Sequence, residues 1–271
     1  MEWWQAILLG IVQGLTEFLP VSSSGHLMIF KELVGADAEG FLDFTVTVHL
    51  ATVVATIVVF WNAIWTLLKG FFKFKYNDET DYVCKVLVSL VPVALVGFLL
   101  KDQVDALFGE SLTLVGVGLV ITAGLLFFSD NAARWLRPSR TQVRNGISYW
   151  QAFVVGIAQA FAVMPGVSRS GSTIATGLII GVKRENMAQF SFLMVLIPII
   201  GEQSLDLLKV AVGNETFGGG VGPMALCLGF VAAFVSGLFA CRWMVSIVKK
   251  AKLSWFALYC LVVALLIFLL S

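Results

Sequence analysis

The sequence predicts an all-α polytopic membrane protein: an inverted-topology repeat of two five-helix units, with six transmembrane helices and two re-entrant helical hairpins. The 271-residue chain is 59% hydrophobic and only 13% charged, which excludes a soluble globule with a charged surface. Its apolar stretches recur at lengths that span, or nearly span, a bilayer. Residues 6–27 also match residues 152–173 without gaps, which indicates an internal duplication. The identical pairs are Ala6/Ala152, Gly10/Gly156, Ile11/Ile157, Gln13/Gln159, Val21/Val167, Ser22/Ser168, Ser24/Ser170 and Gly25/Gly171.

The first repeat, residues 1–130, is predicted to begin with a re-entrant hairpin over residues 3–35. Residues 3–19 are apolar at helical spacing but stop at Pro20, and their helix would be roughly 25 Å long, shorter than a ~30 Å hydrocarbon core. A second short helix, 24–35, follows a polar serine turn. Such a turn is tolerated in a membrane only where protein or a wet cavity surrounds it. The spans predicted after the hairpin are 42–66, 83–100 and 112–128.

The second repeat, residues 148–271, restarts the same pattern. Residues 150–164 and 171–182 form the second predicted hairpin, 150–182, around another turn rich in glycine and serine. The spans predicted after it are 187–211, 222–247 and 255–270.

Basic residues orient these segments through the positive-inside rule. Loops 67–82, 129–149 and 248–254 carry clusters of Lys and Arg, whereas loops 36–41 and 212–221 carry none. The first three loops are therefore predicted to be cytoplasmic. Because each repeat crosses the membrane three times, the second copy inserts upside down relative to the first. The two polar turns are then expected to meet inside the membrane, in a site that faces outward.

Gln13 and Glu17 lie one turn apart on the same face of the first short helix. A carboxylate at membrane depth costs on the order of 2.5–3.5 kcal/mol, so Glu17 is expected to have a partner or a catalytic task. A structural carboxylate tied to a serine or a backbone amide is the alternative interpretation.

Serines stand where the second helix of each hairpin begins, in Ser22–Ser24 and at Ser168 and Ser170. Such serines fit helix N-caps, but two helix N-termini aimed at one region also favour an anion. Arg169 adds a planar guanidinium suited to phosphate. A salt bridge between Arg169 and Glu17 is the rival explanation of both charges.

The chain contains two histidines. His26 directly follows the first serine turn, where it can act as a base toward a seryl hydroxyl or water, or attack phosphorus itself. His49 lies within a predicted span, and we assign it mainly a packing role.

Two motifs relate the sequence to a known family. An (E/Q)xxxE element stands at Gln13–Glu17 and continues through FLPVSSSGH to His26, and a PGxSRSxxT element stands at Pro165–Thr173. On these motifs, the chain resembles the undecaprenyl-diphosphate phosphatases of the BacA-type (bacitracin-resistance) family. The resemblance extends over nearly the whole chain.

The resemblance implies hydrolysis of a C55 polyprenyl diphosphate lipid to its monophosphate and inorganic phosphate. This reaction would take place at the outer face of the bacterial plasma membrane, recycling the lipid carrier of peptidoglycan synthesis and giving bacitracin resistance. A divalent cation, Mg²⁺ or Ca²⁺, is also implied, with Gln13 and Glu17 as candidate ligands. Many members have glutamate where this chain has Gln13, so a cation carried by the diphosphate fits better.

The resemblance and the residues together imply in-line attack on the terminal phosphorus. Glu17 and His26 form the expected acid/base pair. Ser23 is the expected nucleophile, activated by His26, and direct attack by His26 is the second possibility. Arg169 stabilises the phosphoryl charge. The expected phosphate-binding residues are Ser22, Ser24, Ser168, Ser170, Thr173, Gly166 and Gly171.

The sequence fits other functional classes less well. Lipid phosphatases of the PAP2 type need a second histidine shortly after their Ser-Arg, and residues 171–186 contain none. A polyprenyl-phosphate transporter or flippase on the same inverted repeat is the non-enzyme alternative. A net charge of +1 argues against nucleic acid as a partner. Membrane lipid is the expected surrounding, and the sequence leaves a homodimer open.

Overall fold

The computed structural model describes residues 1–36, 40–99, 112–135, 143–211, 221–250 and 252–270, and all regular structure in these ranges is helical. The helices are α1 Trp3–Phe18, α2 Ser23–Val34, α3 Phe41–Val59, α4 Trp61–Phe71, α5 Asp78–Leu99, α6 Leu112–Trp135, α7 Tyr149–Phe161, α8 Arg169–Ile179, α9 Arg184–Ala211, α10 Pro223–Lys250 and α11 Ser254–Leu270. A short 3₁₀ turn, Arg144–Gly146, precedes α7.

Helix pairs α1–α2 and α7–α8 stand where the two hairpins are predicted. Helix α1 ends because Leu19 is extended (φ −73°, ψ 147°), the conformation that a following proline favours. The Ser22 and Ser168 hydroxyls accept hydrogen bonds from the third residue of α2 and of α8 respectively. Local sequence therefore sets both breaks.

Each hairpin packs against a helix of the other repeat, α1 against α10 and α7 against α5. The two contacts use equivalent glycines. A Cβ at Gly10 would lie 2.5 Å from the Gly229 carbonyl oxygen, and one at Gly156 would lie 2.2 Å from the Ser89 carbonyl oxygen. Larger side chains at these positions would push the helices apart.

The span predicted over 42–66 is bent in the structure. Helices α3 and α4 meet at a bend of 74°, with Phe60 between them. Trp61 and Trp65 stack with ring centroids 5.9 Å apart, and Lys69 lies over the Trp65 ring. Exposed tryptophans and lysine on one short helix are typical of the membrane interface, so α4 is suited to lie there.

Three helices in the described ranges are long and apolar enough to cross a membrane, namely α5, Leu112–Ala132 of α6, and Pro223–Val248 of α10. The bent α3–α4 pair would make a fourth, and Ser254–Leu269 of α11 is apolar but shorter. These helices fit a multi-pass membrane protein. The count of six crossings and the inverted topology stay predictions.

Asp130, near the end of α6, anchors two later helices. Its Oδ2 accepts hydrogen bonds from the backbone N–H and the hydroxyl of Ser254, both at 2.8 Å. Its Oδ1 accepts a hydrogen bond from Arg184 at 2.5 Å. A carboxylate at a helix N-terminus is stabilising, so Asp130 fixes the starts of α11 and α9.

Candidate active site

The structure brings the two serine turns together. The Ser170 hydroxyl donates to the Leu19 carbonyl at 3.2 Å. Gly25 and Gly166 also lie close, since a Cβ on Gly25 would be 3.7 Å from the Gly166 Cα. The N-termini of α2 and α8 therefore border one region, as the duplication led us to expect.

Glu17 is the centre of this region. Its Oε2 accepts hydrogen bonds from Ser23 Oγ at 2.6 Å and from Gln13 Nε2 at 2.9 Å. Its Oε1 accepts a hydrogen bond from Arg169 Nη2 at 3.1 Å. The Glu17 side chain is 10% exposed and that of Arg169 is 28% exposed. Three residues predicted to be catalytic, Glu17, Ser23 and Arg169, thus form one connected group.

The predicted hydrogen bond from Ser23 to His26 is replaced by another arrangement. His26 Nδ1 lies 2.8 Å from the Ser22 carbonyl oxygen, and Nε2 lies 2.8 Å from the Tyr259 hydroxyl. Both ring nitrogens are therefore engaged, and Ser23 donates to Glu17 instead. The pairing of Ser23 with His26 as its base is corrected on this geometry, because the carboxylate is the nearer acceptor.

His49 lies closer to this group than its predicted packing role implies. Its Nε2 is 3.7 Å from Glu17 Oε2, within reach of an ion pair when the ring is protonated. Its Nδ1–H donates to the Thr45 carbonyl at 2.8 Å, which fixes the ring orientation. Sequence reasoning missed this residue because nothing in the chain near His49 indicates that it faces Glu17.

A cavity opens beside Glu17 and Arg169. Its polar lining also includes Ser170, Ser191 and two threonines, and the rest of its lining is apolar. The remaining cavity residues come from α1, α3 and α9: Phe18, Thr52, Val53, Thr56, Phe192, Val195, Leu196 and Ile199.

Several predicted phosphate-binding residues have structural partners. Ser22 and Ser168 act as helix caps, and their hydroxyls also lie near Ser24 and Ser170 respectively.

Thr173 bonds to Ser191 at 2.6 Å and to two carbonyls of its own helix. The remaining two, Gly166 and Gly171, line the turn, where Gly166 has φ +81° and Gly171 N–H is bonded to Ser168 Oγ.

Nothing in the structure tests Gln13 and Glu17 as ligands of a cation, and that assignment stays a prediction. Because a carboxylate only accepts hydrogen bonds here, Gln13 must turn its NH₂ toward Glu17, and its Oε1 then points elsewhere. Both carboxylate oxygens already accept from protein donors. No group of three or more His, Cys, Asp or Glu that could hold a metal ion occurs among the described residues.

Comparison with known proteins gives full-length matches. The family described as "Bacitracin resistance protein BacA" matches residues 6–266. An undecaprenyl-diphosphatase of Bacteroides fragilis is 49% identical over 271 residues, covering 100% of this chain and 99% of the relative. Those of Parabacteroides distasonis and Christiangramia forsetii are 51% and 45% identical, each covering 98% of this chain and 97% of the relative.

Proposed function

Because the chain belongs to the BacA family of bacitracin resistance proteins, we propose that it hydrolyses undecaprenyl diphosphate to undecaprenyl phosphate and inorganic phosphate. The observation that carries this proposal is the group in which one buried carboxylate, Glu17, accepts from both the Ser23 hydroxyl and the Arg169 guanidinium. A hydroxyl beside a base and a planar cation is the set that phosphoryl transfer requires. The names of the full-length relatives supply the substrate.

Ser23 is the nucleophile in this proposal. Its Oγ attacks the terminal phosphorus, its proton passes to Glu17 Oε2, and undecaprenyl phosphate leaves. Glu17 passes this proton to the departing undecaprenyl phosphate, so it is again a carboxylate when water attacks the phosphoserine. It then takes the proton of the water and returns it to Ser23 Oγ as inorganic phosphate leaves. Arg169 donates to Glu17 through Nη2, and within the described ranges its other N–H groups are open to the phosphoryl oxygens. Attack by His26 remains the rival scheme.

The first units of the lipid chain are placed in this proposal against the apolar lining that α9 gives the cavity, namely Phe192, Val195, Leu196 and Ile199. The cavity of about 30 Å³ would have to widen to admit them. A polyprenyl chain bound against these residues would bury its first units away from water, which favours binding by the hydrophobic effect. Mg²⁺ or Ca²⁺ would arrive with the diphosphate, whose oxygens are the ligands that such cations prefer.

The function is tested by incubating purified protein in detergent with C55 polyprenyl diphosphate and measuring released inorganic phosphate. Transport cannot occur in detergent, so phosphate release distinguishes a phosphatase from a transporter or flippase. We expect steady release that requires a divalent cation. Binding of the lipid with no release of phosphate would contradict the proposal.

The nucleophile is tested by trapping. We expect rapid acid quenching during turnover of substrate labelled in its terminal phosphate to leave an acid-stable phosphoenzyme, as a phosphoserine would be. The label should disappear in Ser23→Ala, and peptide mapping should place it at Ser23. An acid-labile, base-stable label would point instead to a phosphohistidine at His26.

The site is further proposed to face the outside of the bacterial plasma membrane, where its activity gives bacitracin resistance. The clustered basic loops and the crossed packing of each hairpin on the other repeat support an inverted repeat with this orientation. The test uses single cysteines in a variant whose four native cysteines are replaced. Cysteines at Glu110 and Gly219, which lie outside the described residues, should react with an impermeant thiol reagent added to cells.

The matched position is Lys75, an exposed residue in the predicted cytoplasmic loop. A cysteine there should react only after the cells are opened. Reaction at Lys75 from outside, with none at Gly219, would reverse the orientation and move the site to the cytoplasmic face.

A further inference from the structure

Ser22 has an unusual backbone conformation at the turn that leads into Ser23. Its φ is 68° and its ψ is 95°, a left-handed φ that residues with a Cβ rarely adopt. Such a residue persists only where surrounding interactions hold it, and strained residues of this kind cluster at functional sites. The question is which groups hold Ser22 in place.

The imidazole of His26 holds the Ser22 carbonyl. That oxygen accepts the backbone N–H of His26 at 3.2 Å and a ring N–H at Nδ1 at 2.8 Å. Because a carbonyl only accepts, Nδ1 carries a proton, and in the neutral ring Nε2 is then an acceptor. The Tyr259 hydroxyl, 2.8 Å away, donates to it.

Tyr259 also fixes the plane of the His26 ring. The two rings are stacked with centroids 5.6 Å apart and an interplanar angle of 9°. His26 itself is only 3% exposed, so these contacts determine the direction of its Nδ1–H bond.

Helix α11, which carries Tyr259, is itself anchored on both sides of this contact. Its start is tied to Asp130 through Ser254. Directly after Tyr259, the Cys260 thiol donates to the Pro20 carbonyl at 3.7 Å. Helix α11 therefore contacts the turn between α1 and α2 at two carbonyls. It reaches the Pro20 carbonyl directly and the Ser22 carbonyl through His26.

We propose that Tyr259 is a positioning residue for the reaction. Through His26, it holds the strained Ser22 backbone that directs the Ser23 hydroxyl toward Glu17 and the substrate phosphorus. The inference rests on the proposed phosphatase function and adds to it a role for a residue of the second repeat. His26 acts in this arrangement as the link between Tyr259 and the turn.

The first experiment compares Tyr259→Phe with Tyr82→Phe. Tyr259→Phe keeps the stacked ring but removes the hydroxyl, so the turn loses its hold and Ser23 is misplaced. We expect kcat for phosphate release from C55 diphosphate to fall by roughly 10-fold or more, with KM changed by less than about 2-fold. Tyr82 is the matched control, because its buried hydroxyl has no hydrogen-bond partner within the described ranges. The kcat of Tyr82→Phe should equal that of the wild type.

The second experiment asks whether Tyr259 acts on the strain at Ser22. Glycine adopts a positive φ without strain, whereas alanine keeps the strain and also lacks the serine hydroxyl. Both Ser22→Gly and Ser22→Ala remove the helix cap and should lower activity on their own. Adding Tyr259→Phe should lower kcat by a clearly smaller factor in the Ser22→Gly protein than in the Ser22→Ala protein.

An equal fall in kcat in the Ser22→Gly and Ser22→Ala proteins would overturn the inference, since it would mean that the tyrosine acts independently of the Ser22 backbone. A rise in KM with normal kcat would overturn it too. Wild-type protein that releases no phosphate would overturn this inference together with the proposed function. An active wild type in which Tyr259→Phe behaves like Tyr82→Phe overturns the inference alone.

Discussion

Glu17→Gln lowers turnover by roughly 10²–10⁴-fold, the scale expected for loss of a positioned general base. Glutamine keeps the size and one acceptor oxygen of Glu17, so the hydrogen bond from Ser23 can survive. It cannot take the Ser23 proton, and it leaves the Arg169 charge without its carboxylate partner. The measurement is steady-state phosphate release by variants whose folding is checked by their elution as single species in detergent.

Asp78→Asn is the matched control for this carboxylate-to-amide change. Asp78 pairs with Arg144 at the surface, and its side chain is 71% exposed. The activity of Asp78→Asn should be close to that of the wild type. Near-normal turnover in folded Glu17→Gln would remove Glu17 as the base, and a severe loss in His49→Ala would then give that role to the imidazole 3.7 Å away.

Arg169→Lys lowers kcat/KM by at least about 10²-fold, which corresponds to ~2.7 kcal/mol of lost transition-state stabilisation. Lysine keeps the charge but loses the planar fork that grips two phosphoryl oxygens. Because that grip tightens as charge develops on the phosphoryl group, kcat should fall more than KM rises. Arg144→Lys, a change at a surface ion pair, is the control and should leave both parameters unchanged.

A second variant separates phosphate binding from simple charge neutralisation. The swap of Glu17→Arg with Arg169→Glu keeps one charge of each sign but places each on the wrong hairpin. It should therefore stay inactive. An active lysine variant, or recovery by the swap, would mean that Arg169 serves only as the counter-ion of Glu17.

Features set by neighbouring residues could be predicted from the sequence. Pro20 ends the first short helix, and the serines at 22 and 168 cap the helices that follow, so both hairpins follow from local chemistry. The duplication then led us to expect the two turns to meet, which placed Arg169 beside Glu17. The family resemblance supplied the substrate, which no residue pattern in the chain indicates.

Features set by long-range contacts could not be predicted. The bend at Phe60 interrupts residues 42–66, which hydropathy alone reads as one apolar run. His49 has no special neighbours in sequence, and only the packing of α3 against α1 turns it toward Glu17.

The sequence by itself thus determined the helical membrane fold, the two hairpins of short helices and the residue types of the site, because periodicity, helix caps and proline act over a few residues. Tertiary structure alone decided which partners Ser23 and His26 have within that site. Ser23 bonds to Glu17 rather than to His26, and His26 bonds to Tyr259 on the last helix. These choices depend on the rotation and separation of packed helices, and a side chain bonds to whichever partner that packing brings within about 3 Å.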